Sequence, residues 1–563
     1  MAPGLSAAGE PDQPRPSSRV ILQFATAADR DAAFTRLLDG GAAVRVADTE
    51  AGPALVAIGS ASLLNTEGGA ATQMSPDTGV SIAAVEHVVP ARGTWERRLP
   101  GRPVPAFDRS RAGFAVAIID SGIEPHPDLP LSRIRAFEDF VSGSPTPVDG
   151  CGHGTHVAGI IAGNGRSSDG AYAGIAPTVD IVALRVLGDD CSGNTSDVID
   201  ALEWIGRNHE LYRIKIVNLS LGHPVLESIF TDPLVQAVER LARKGVTVVT
   251  ASGNRGLNPA TGRPGYGGAG VPCNAPSAIC VGSLDTHGSI PLDDDRVSDT
   301  SSRGPTRFDL LAKPDLVAPG VNIVSLSVKG SRLFDEFEEY RVSGSTGEPQ
   351  YFVLSGTSMA SPVVAAAAAL LLHTNPALST NTLKLALQFT ARLVPATDVL
   401  TQGAGALNIP GAVLFAGAIN PDAQRGTNWI RHRLTAANVD AFGQFIAWGQ
   451  RIVYGDRFVR PRYAQLHLFR WDDDIVWAYD SIADNIVWGN AGDNIVWGND
   501  DNIVWGNESK IVWGRDDNIV WGNVEDDNIV WGNDETADNI VWGNGELLES
   551  WASDVVEGFW WGK

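Results

Sequence analysis

Positive charge is scarce: 43 Lys and Arg stand against 66 Asp and Glu in 563 residues, a formal net charge of −23. Nucleic acid is therefore disfavoured as a partner, because binding its phosphates draws on clustered Lys and Arg. No apolar run approaches the length needed to cross a bilayer, and no membrane span is expected. Residues 1–18 lack both the basic start and the apolar core of a secretory signal, which leaves either a signal already removed or another route of export. Cysteine is sparse as well. Cys151, Cys191, Cys273 and Cys280 permit two disulfides without requiring them, and two bridges would imply an oxidising compartment.

What is present is an ordinary globular composition, 44% apolar and 19% charged, in a chain too long for one core. Residues 1–18 read as a disordered tail rich in Pro, Gly, Ser and Ala. Residues 19–90 read as a small α+β unit, with strands at 20–24, 54–58 and 83–89 and a helix at 29–38. The Pro-, Arg- and Gly-rich stretch 91–112 shows no periodicity and reads as an exposed linker, where proteases cut. From 113 to 418, buried-type strands at 114–119, 181–186, 214–219 and 246–251 alternate with helices at 156–162, 196–207, 232–244 and 358–372. That alternation predicts an α/β domain with a parallel sheet. The pattern changes after 418, and a separate unit is expected there.

Asp120 ends an apolar strand and is followed by Ser121-Gly122, so its carboxylate belongs at the carboxyl edge of the sheet, where open α/β sheets gather their sites. His153 lies in Gly-His-Gly-Thr-His-Val-Ala-Gly, a glycine-flanked loop feeding a helix, with His156 facing another way. Ser358 opens a helix in Ser-Gly-Thr-Ser-Met-Ala-Ser-Pro, beside backbone N–H groups that favour developing negative charge. Asn254 ends another strand in Ala-Ser-Gly-Asn and can donate to the same oxyanion. Singly, each residue is ordinary: an Asp at a strand end can simply bond backbone amides, and a Ser or Asn near a helix start can simply cap it.

Together and in this order, the three motifs and Asn254 resemble the subtilase family over residues 113–418. The related sedolisin family uses a Glu base, and His153 within its full motif argues against it. The resemblance implies a serine endopeptidase in which Ser358 is the nucleophile, His153 the general base and Asp120 the group that orients the imidazole. Asn254 and the Ser358 N–H would form the oxyanion hole. Cys191-Ser192-Gly193 and Ser220-Leu221-Gly222 resemble the two segments that receive an extended peptide as an added strand, and Ala251-Ser252-Gly253 would border the primary specificity pocket.

The resemblance also makes residues 19–90 an inhibitory propeptide, an intramolecular inhibitor removed by self-cleavage in or near 88–111; the other reading is a small accessory domain. Positions similar to a bridged pair in some secreted subtilases imply a Cys151–Cys191 disulfide, with Cys273–Cys280 the second pair, and hence a secreted or extracytoplasmic protein. Free thiols packed as small apolar groups are the alternative. No cofactor is required for the chemistry, structural calcium is allowed, and metal ligands are not assignable.

Residues 419–473 read as a connecting region with degenerate repeats, and 474–563 as a Trp-rich acidic repeat region. From Asp472 onward 21 acidic residues face 3 basic ones, and Asp-Asn-Ile-Val-Trp-Gly-Asn recurs with Trp at 488, 497, 505, 513, 521, 531 and 542. Repeats this short must stack, and strand-forming Ile-Val-Trp between Gly-Asn-Asp turns predicts a β-solenoid or a meander. A spacer, a surface that binds glycans or cells, and a cation-binding array all fit this pattern. A second reading of the whole chain makes this tail the working part of an adhesive protein, with proteolysis serving only its maturation. The expected fold is α/β: a subtilisin-like parallel sheet with helices on both faces, preceded by a small α+β domain and followed by β-rich repeats.

Overall fold

The computed structural model describes residues 18–67, 71–82, 113–258, 261–423, 429–431, 434–440 and 442–455, with the backbone of further strands between 457 and 542. The tail 1–17, the strand expected at 83–89, the linker 91–112 and the degenerate copy at 474–477 lie outside these residues.

The central sheet runs in the order Arg296–Val297, Ile279–Asp285, Thr247–Ala251, Ile214–Leu219, Ala115–Asp120, Asp180–Arg185 and Ile134–Asp139, and Leu316–Pro319 also pairs with Ile279–Asp285. Every pairing but that of Arg296–Val297 is parallel. Parallel strands covered on both faces read as continuous apolar runs, and Ala115–Asp120 is buried at every position. Its Val116 and Ile118 face the layer of helices His153–Ala162, Thr357–Thr374, Thr380–Phe389 and Ile409–Ala418. Its Ala115, Ala117 and Ile119 face Thr195–Tyr212 and Pro233–Arg243.

The core does not stop at Ala418, where the change of sequence pattern suggests a separate unit. Trp429, Ile430, Trp448 and Ile452 join the cluster that holds Phe389 and Phe415, and Trp448 meets both rings edge-on with centroids 6.1 Å apart. Trp448 Nε1 donates to Asn438 Oδ1 at 2.8 Å, so the buried indole keeps its hydrogen bond. The helix Thr357–Thr374 is long and apolar enough to cross a bilayer, yet it is 89% buried within this core.

The N-terminal unit is an antiparallel sheet in the order Ala43–Val46, Ala54–Gly59, Ser18–Gln23 and Gln73–Pro76, with helices Ala27–Asp39 and Ala61–Glu67. Leu22, Leu37, Leu55 and Leu64 pack between sheet and helices. Ile21 and Val56, on the opposite face, join the cluster formed with Ile199 and Val235 of the larger domain.

In the repeats, alternate strands pair in parallel. Trp488 is in register with Trp505, Trp521 and Trp542 in one sheet, and Trp497 with Trp513 and Trp531 in the other. Such a pattern is that of a solenoid; a meander would pair consecutive strands antiparallel.

Candidate active site

Asp120 closes the Ala115–Asp120 strand at the carboxyl edge of the sheet. Its Oδ1 accepts the Ser121 N–H at 2.7 Å and lies 2.8 Å from His153 Nδ1, with both side chains buried. His153 is the first residue of the helix His153–Ala162, entered through Gly152 at φ 92, a left-handed turn open to glycine. The turn is held by Asp149, which sequence reading did not single out. Asp149 Oδ1 accepts the Gly152 N–H and the Ser121 hydroxyl, each at 2.8 Å; Oδ2 accepts the Thr155 N–H at 2.8 Å and its hydroxyl at 2.7 Å. The Ser121 hydroxyl in turn accepts the Gly154 N–H at 2.9 Å. A buried carboxylate with this many donors over-determines the loop and fixes the ring that follows it. Its charge, after burial itself, raises the Glu124 carboxyl above the ordinary range.

His156 points away from Asp120. Its Nε2 lies 3.0 Å from the Phe352 carbonyl, and burial, then the neighbouring His153, pulls it down to about 3. It is neutral, while His153 keeps Nε2 buried and unbonded to protein.

Register brings the other groups to the same edge. Leu219 pairs with Ile119, so Ser220 and Asp120 follow side by side on neighbouring strands. Ser358, in the first turn of Thr357–Thr374, donates its hydroxyl to the Ser220 carbonyl at 2.9 Å. Asn254 follows the next strand, Thr247–Ala251; its Oδ1 accepts the Thr357 N–H at 3.0 Å and the Thr357 hydroxyl at 3.1 Å. A Cβ on Gly356 would come within 2.6 Å of Asn254 Nδ2. The amide thus lies over the backbone that leads into Ser358, which explains why glycine stands there.

Of the predicted peptide-binding segments, Ser192–Asn194 and Leu221–Gly222 are short strands, and between them runs Gly79–Ile82 of the N-terminal unit, antiparallel to both. Cys191 contributes its carbonyl, which accepts the Ile82 N–H at 3.4 Å. Ser220 stands just before its strand and is tied to Ser358. Ala251 pairs with Val281, the Ser252 hydroxyl donates to the Ser302 carbonyl at 3.4 Å, and the Gly253 N–H donates to the Thr357 hydroxyl at 3.1 Å. Both expected cysteine pairs are bonded, Cys151–Cys191 and Cys273–Cys280, with Cα atoms 5.3 and 4.9 Å apart. The first ties the loop before His153 to the residue that leads into Ser192–Asn194. Among the described residues no group of three or more His, Cys, Asp or Glu side chains is placed to hold a metal ion.

The arrangement is a buried carboxylate–imidazole pair, a hydroxyl at a helix N-terminus, a free amide N–H group and an edge that takes an added strand. Comparison with known proteins agrees with it. Residues 111–411 match the Subtilase family. The chain is 40% identical over 307 residues to the serine protease AprX of Bacillus subtilis (strain 168), which covers 54% of this chain and 66% of that protein. It is 36% identical over 301 residues to subtilisin Savinase of Lederbergia lenta, covering 54% and 91%, and 34% identical over 300 residues to alkaline elastase YaB of Bacillus sp. (strain YaB), covering 53% and 64%. On this match and on the geometry at the sheet edge, the chain belongs to the subtilase family of serine proteases.

Proposed function

We propose that the chain is a serine endopeptidase that cleaves internal peptide bonds of proteins through an acyl-enzyme on Ser358, and that it is made as a self-inhibited zymogen. The observation that carries this reading is the buried Asp120–His153 pair, 2.8 Å apart, with the imidazole's second nitrogen left unbonded. His153 takes the Ser358 proton as the hydroxyl attacks the scissile carbonyl and later passes it to the leaving amine. Asp120 holds the ring in the tautomer that allows this and stabilises it when charged. Asn254 Nδ2 and the Ser358 N–H receive the oxyanion. Substrate enters as a strand between Ser192–Asn194 and Leu221–Gly222, and Ala251, Ser252 and Gly253 border the pocket for the residue before the cut. No cofactor takes part.

Residues 19–90 are the intramolecular inhibitor in this reading. Strand Gly79–Ile82 occupies the place a substrate would take, and two disulfides suit an extracytoplasmic protein. The solenoid-type pairing of the repeats favours an elongated spacer for the tail. The test is intact-mass analysis of wild type and Ser358→Ala with a serine-directed phosphonylating inhibitor. One adduct on wild-type Ser358 and none on the variant are expected. No adduct on either would sink the reading and bring the adhesive alternative forward.

A further inference from the structure

Charge is buried where the proposed mechanism makes no use of it. Lys384, on helix Thr380–Phe389, and Lys313 and Asp315, just ahead of strand Leu316–Pro319, are each at most 3% exposed. Lys384 Nζ donates to the carbonyls of Pro276 at 2.7 Å and Ala278 at 2.9 Å and lies 3.0 Å from Asp315 Oδ1. Lys313 Nζ donates to the carbonyls of Ala275 and Ala278, each at 3.2 Å, and to Asp315 Oδ2 at 2.9 Å. From helix Pro233–Arg243, Glu239 accepts the Ser277 N–H at 2.8 Å and the Ser277 hydroxyl at 2.7 Å. Four charged side chains thus converge on one loop, 273–280, whose ends the disulfide already joins with Cα atoms 4.9 Å apart. Closing the loop does not need them. Stability is a weak reason for them too, because well-packed apolar residues in place of buried ions are often neutral or stabilising. What fixed charged donors add is direction, since they set where each carbonyl points.

Both ends of the loop run into the segments read above as substrate-binding. Ahead of it, the Gly270 N–H donates to the Ser252 carbonyl at 3.2 Å, and Val271 and His223 exchange N–H···O bonds of 2.8 and 3.1 Å. The loop is tied to this stretch by the Asn274 N–H on the Gly270 carbonyl and the Ala275 N–H on the Pro272 carbonyl, each at 3.0 Å. Behind it, the Val281 carbonyl accepts the Ser252 N–H at 2.9 Å. The fit is close: a Cβ on Gly222 would come within 2.3 Å of the Val271 carbonyl oxygen. A shift of the loop is therefore passed to Gly222 on one side and to Ser252 on the other.

We propose that Lys384 is a positioning residue for substrate: acting through the 273–280 loop, it holds Gly222 and Ser252 at the spacing that the side chain before the cut requires. This rests on the serine-protease reading above. The hold depends on a proton. Burial pulls the Lys384 ammonium down to about 7, against the pull of Asp315; the charge of Lys313 acts with burial, and that of Glu239 against it. As pH rises through that value the three N–H donors become two, and a lone pair is left among the Pro276, Ala278 and Asp315 oxygens. The loop is then held less firmly, and binding of the substrate side chain weakens while the reacting groups keep their places.

The test measures kcat and KM between pH about 6 and 8 on short peptide anilides with either alanine or a large aromatic residue before the cut. A change of KM at constant kcat marks lost binding rather than lost chemistry. For the aromatic peptide, wild-type KM should rise about threefold across this range. Lys384→Met should raise it about fivefold at the acid end, leave kcat within about twofold and flatten KM against pH; the alanine peptide, which touches less of the walls, should change about twofold at most. Glu239→Gln removes a charge that favours the ammonium, so its KM should rise at lower pH than that of wild type, which decides the matter even where Lys384→Met does not fold. A wild-type KM that is flat across the range, or a Lys384→Met enzyme that keeps the wild-type profile, would overturn the proposal. If that wild type still takes the phosphonyl label on Ser358, the protease reading stands; a chain that neither takes the label nor cleaves either peptide would overturn both.

Discussion

Ser220 and Ser358 hold one another reciprocally: the Ser358 hydroxyl donates to the Ser220 carbonyl at 2.9 Å, and the Ser220 hydroxyl donates to the Ser358 carbonyl at 2.9 Å. In the proposed mechanism the Ser358 hydroxyl leaves the Ser220 carbonyl and turns to His153 Nε2 before it attacks. The Ser220 hydroxyl also accepts from Asn218 Nδ2 and meets the Ser361 hydroxyl, each at 2.9 Å. All of these groups are buried.

Ser220→Ala would therefore strand several buried polar atoms, at a cost of about 1–3 kcal/mol. Urea unfolding in the Ser358→Ala background, where the chain cannot digest itself, should show this loss with an unchanged slope. An unaltered midpoint would mean that the pair does not support the fold.

Asn254 has two separable duties. Its Oδ1 accepts from Thr357, and in the proposed mechanism its Nδ2 donates to the oxyanion. Asn254→Asp keeps the acceptor and removes the donor, so turnover should fall by at least ~10²-fold with the melting temperature near wild type. The ~10²–10³ scale for losing such a donor comes from the relative subtilisin and not from this geometry. A variant that melts early and loses activity only in proportion would assign Asn254 to structure alone.

The candidate site residues that the fold gathers at one sheet edge could be read from the sequence because each sits in a short motif whose backbone needs are local. Gly152 turns the chain into the His153 helix, Gly356 clears space for Asn254, and an unbroken apolar run delivers Asp120 to a sheet edge. Asp149 could not be read so, since its donors come from Ser121, Gly152 and Thr155, and nothing in its own neighbourhood announces them. The buried Lys313–Asp315–Lys384 cluster is similar. Its ammonium groups hold the carbonyls of Ala275, Pro276 and Ala278 inside the loop closed by Cys273–Cys280. Such contacts span up to 108 residues of chain. The continuation of the core to Ile452 was hidden because the Trp- and Tyr-bearing segments there resemble the repeats that follow.

Asp77 caps a helix that is not its own. Asn194, at the N-cap of Thr195–Tyr212, makes no side-chain bond to the helix backbone, and Asp77 Oδ1 takes the Ser196 N–H in its place. Arg19 braces the cap, pairing with Asp77 and donating to the Ser196 hydroxyl at 3.1 Å. Loss of a cap costs roughly 1 kcal/mol. In the full-length Ser358→Ala chain, Asp77→Ala should speed amide exchange at Ser196 about fivefold. Unchanged exchange there would show that the helix start does not depend on the N-terminal unit.

Acid should weaken the domain through Asp139. Burial would raise this carboxyl, but the Ser142 hydroxyl and the N–H groups of Ser142, Val141 and Ser144 outweigh it and hold it down to about 2. The bonds measure 2.6, 3.0, 2.8 and 3.0 Å, and Arg185 Nη1 adds another at 3.0 Å. A carboxyl whose folded value lies below its ordinary 3.8 stabilises the fold above that value and loses the contribution as pH falls toward 2. The difference amounts to about 2 kcal/mol. Urea unfolding of Ser358→Ala at a series of pH values should therefore fall more steeply between pH about 4 and 2 than that of the same chain with Asp139→Asn, which has no proton to take up. The variant should also be the less stable of the two at neutral pH, where the charged acceptor is missing. Parallel curves across the acid range would mean that the turn after Ile134–Asp139 is held by other contacts.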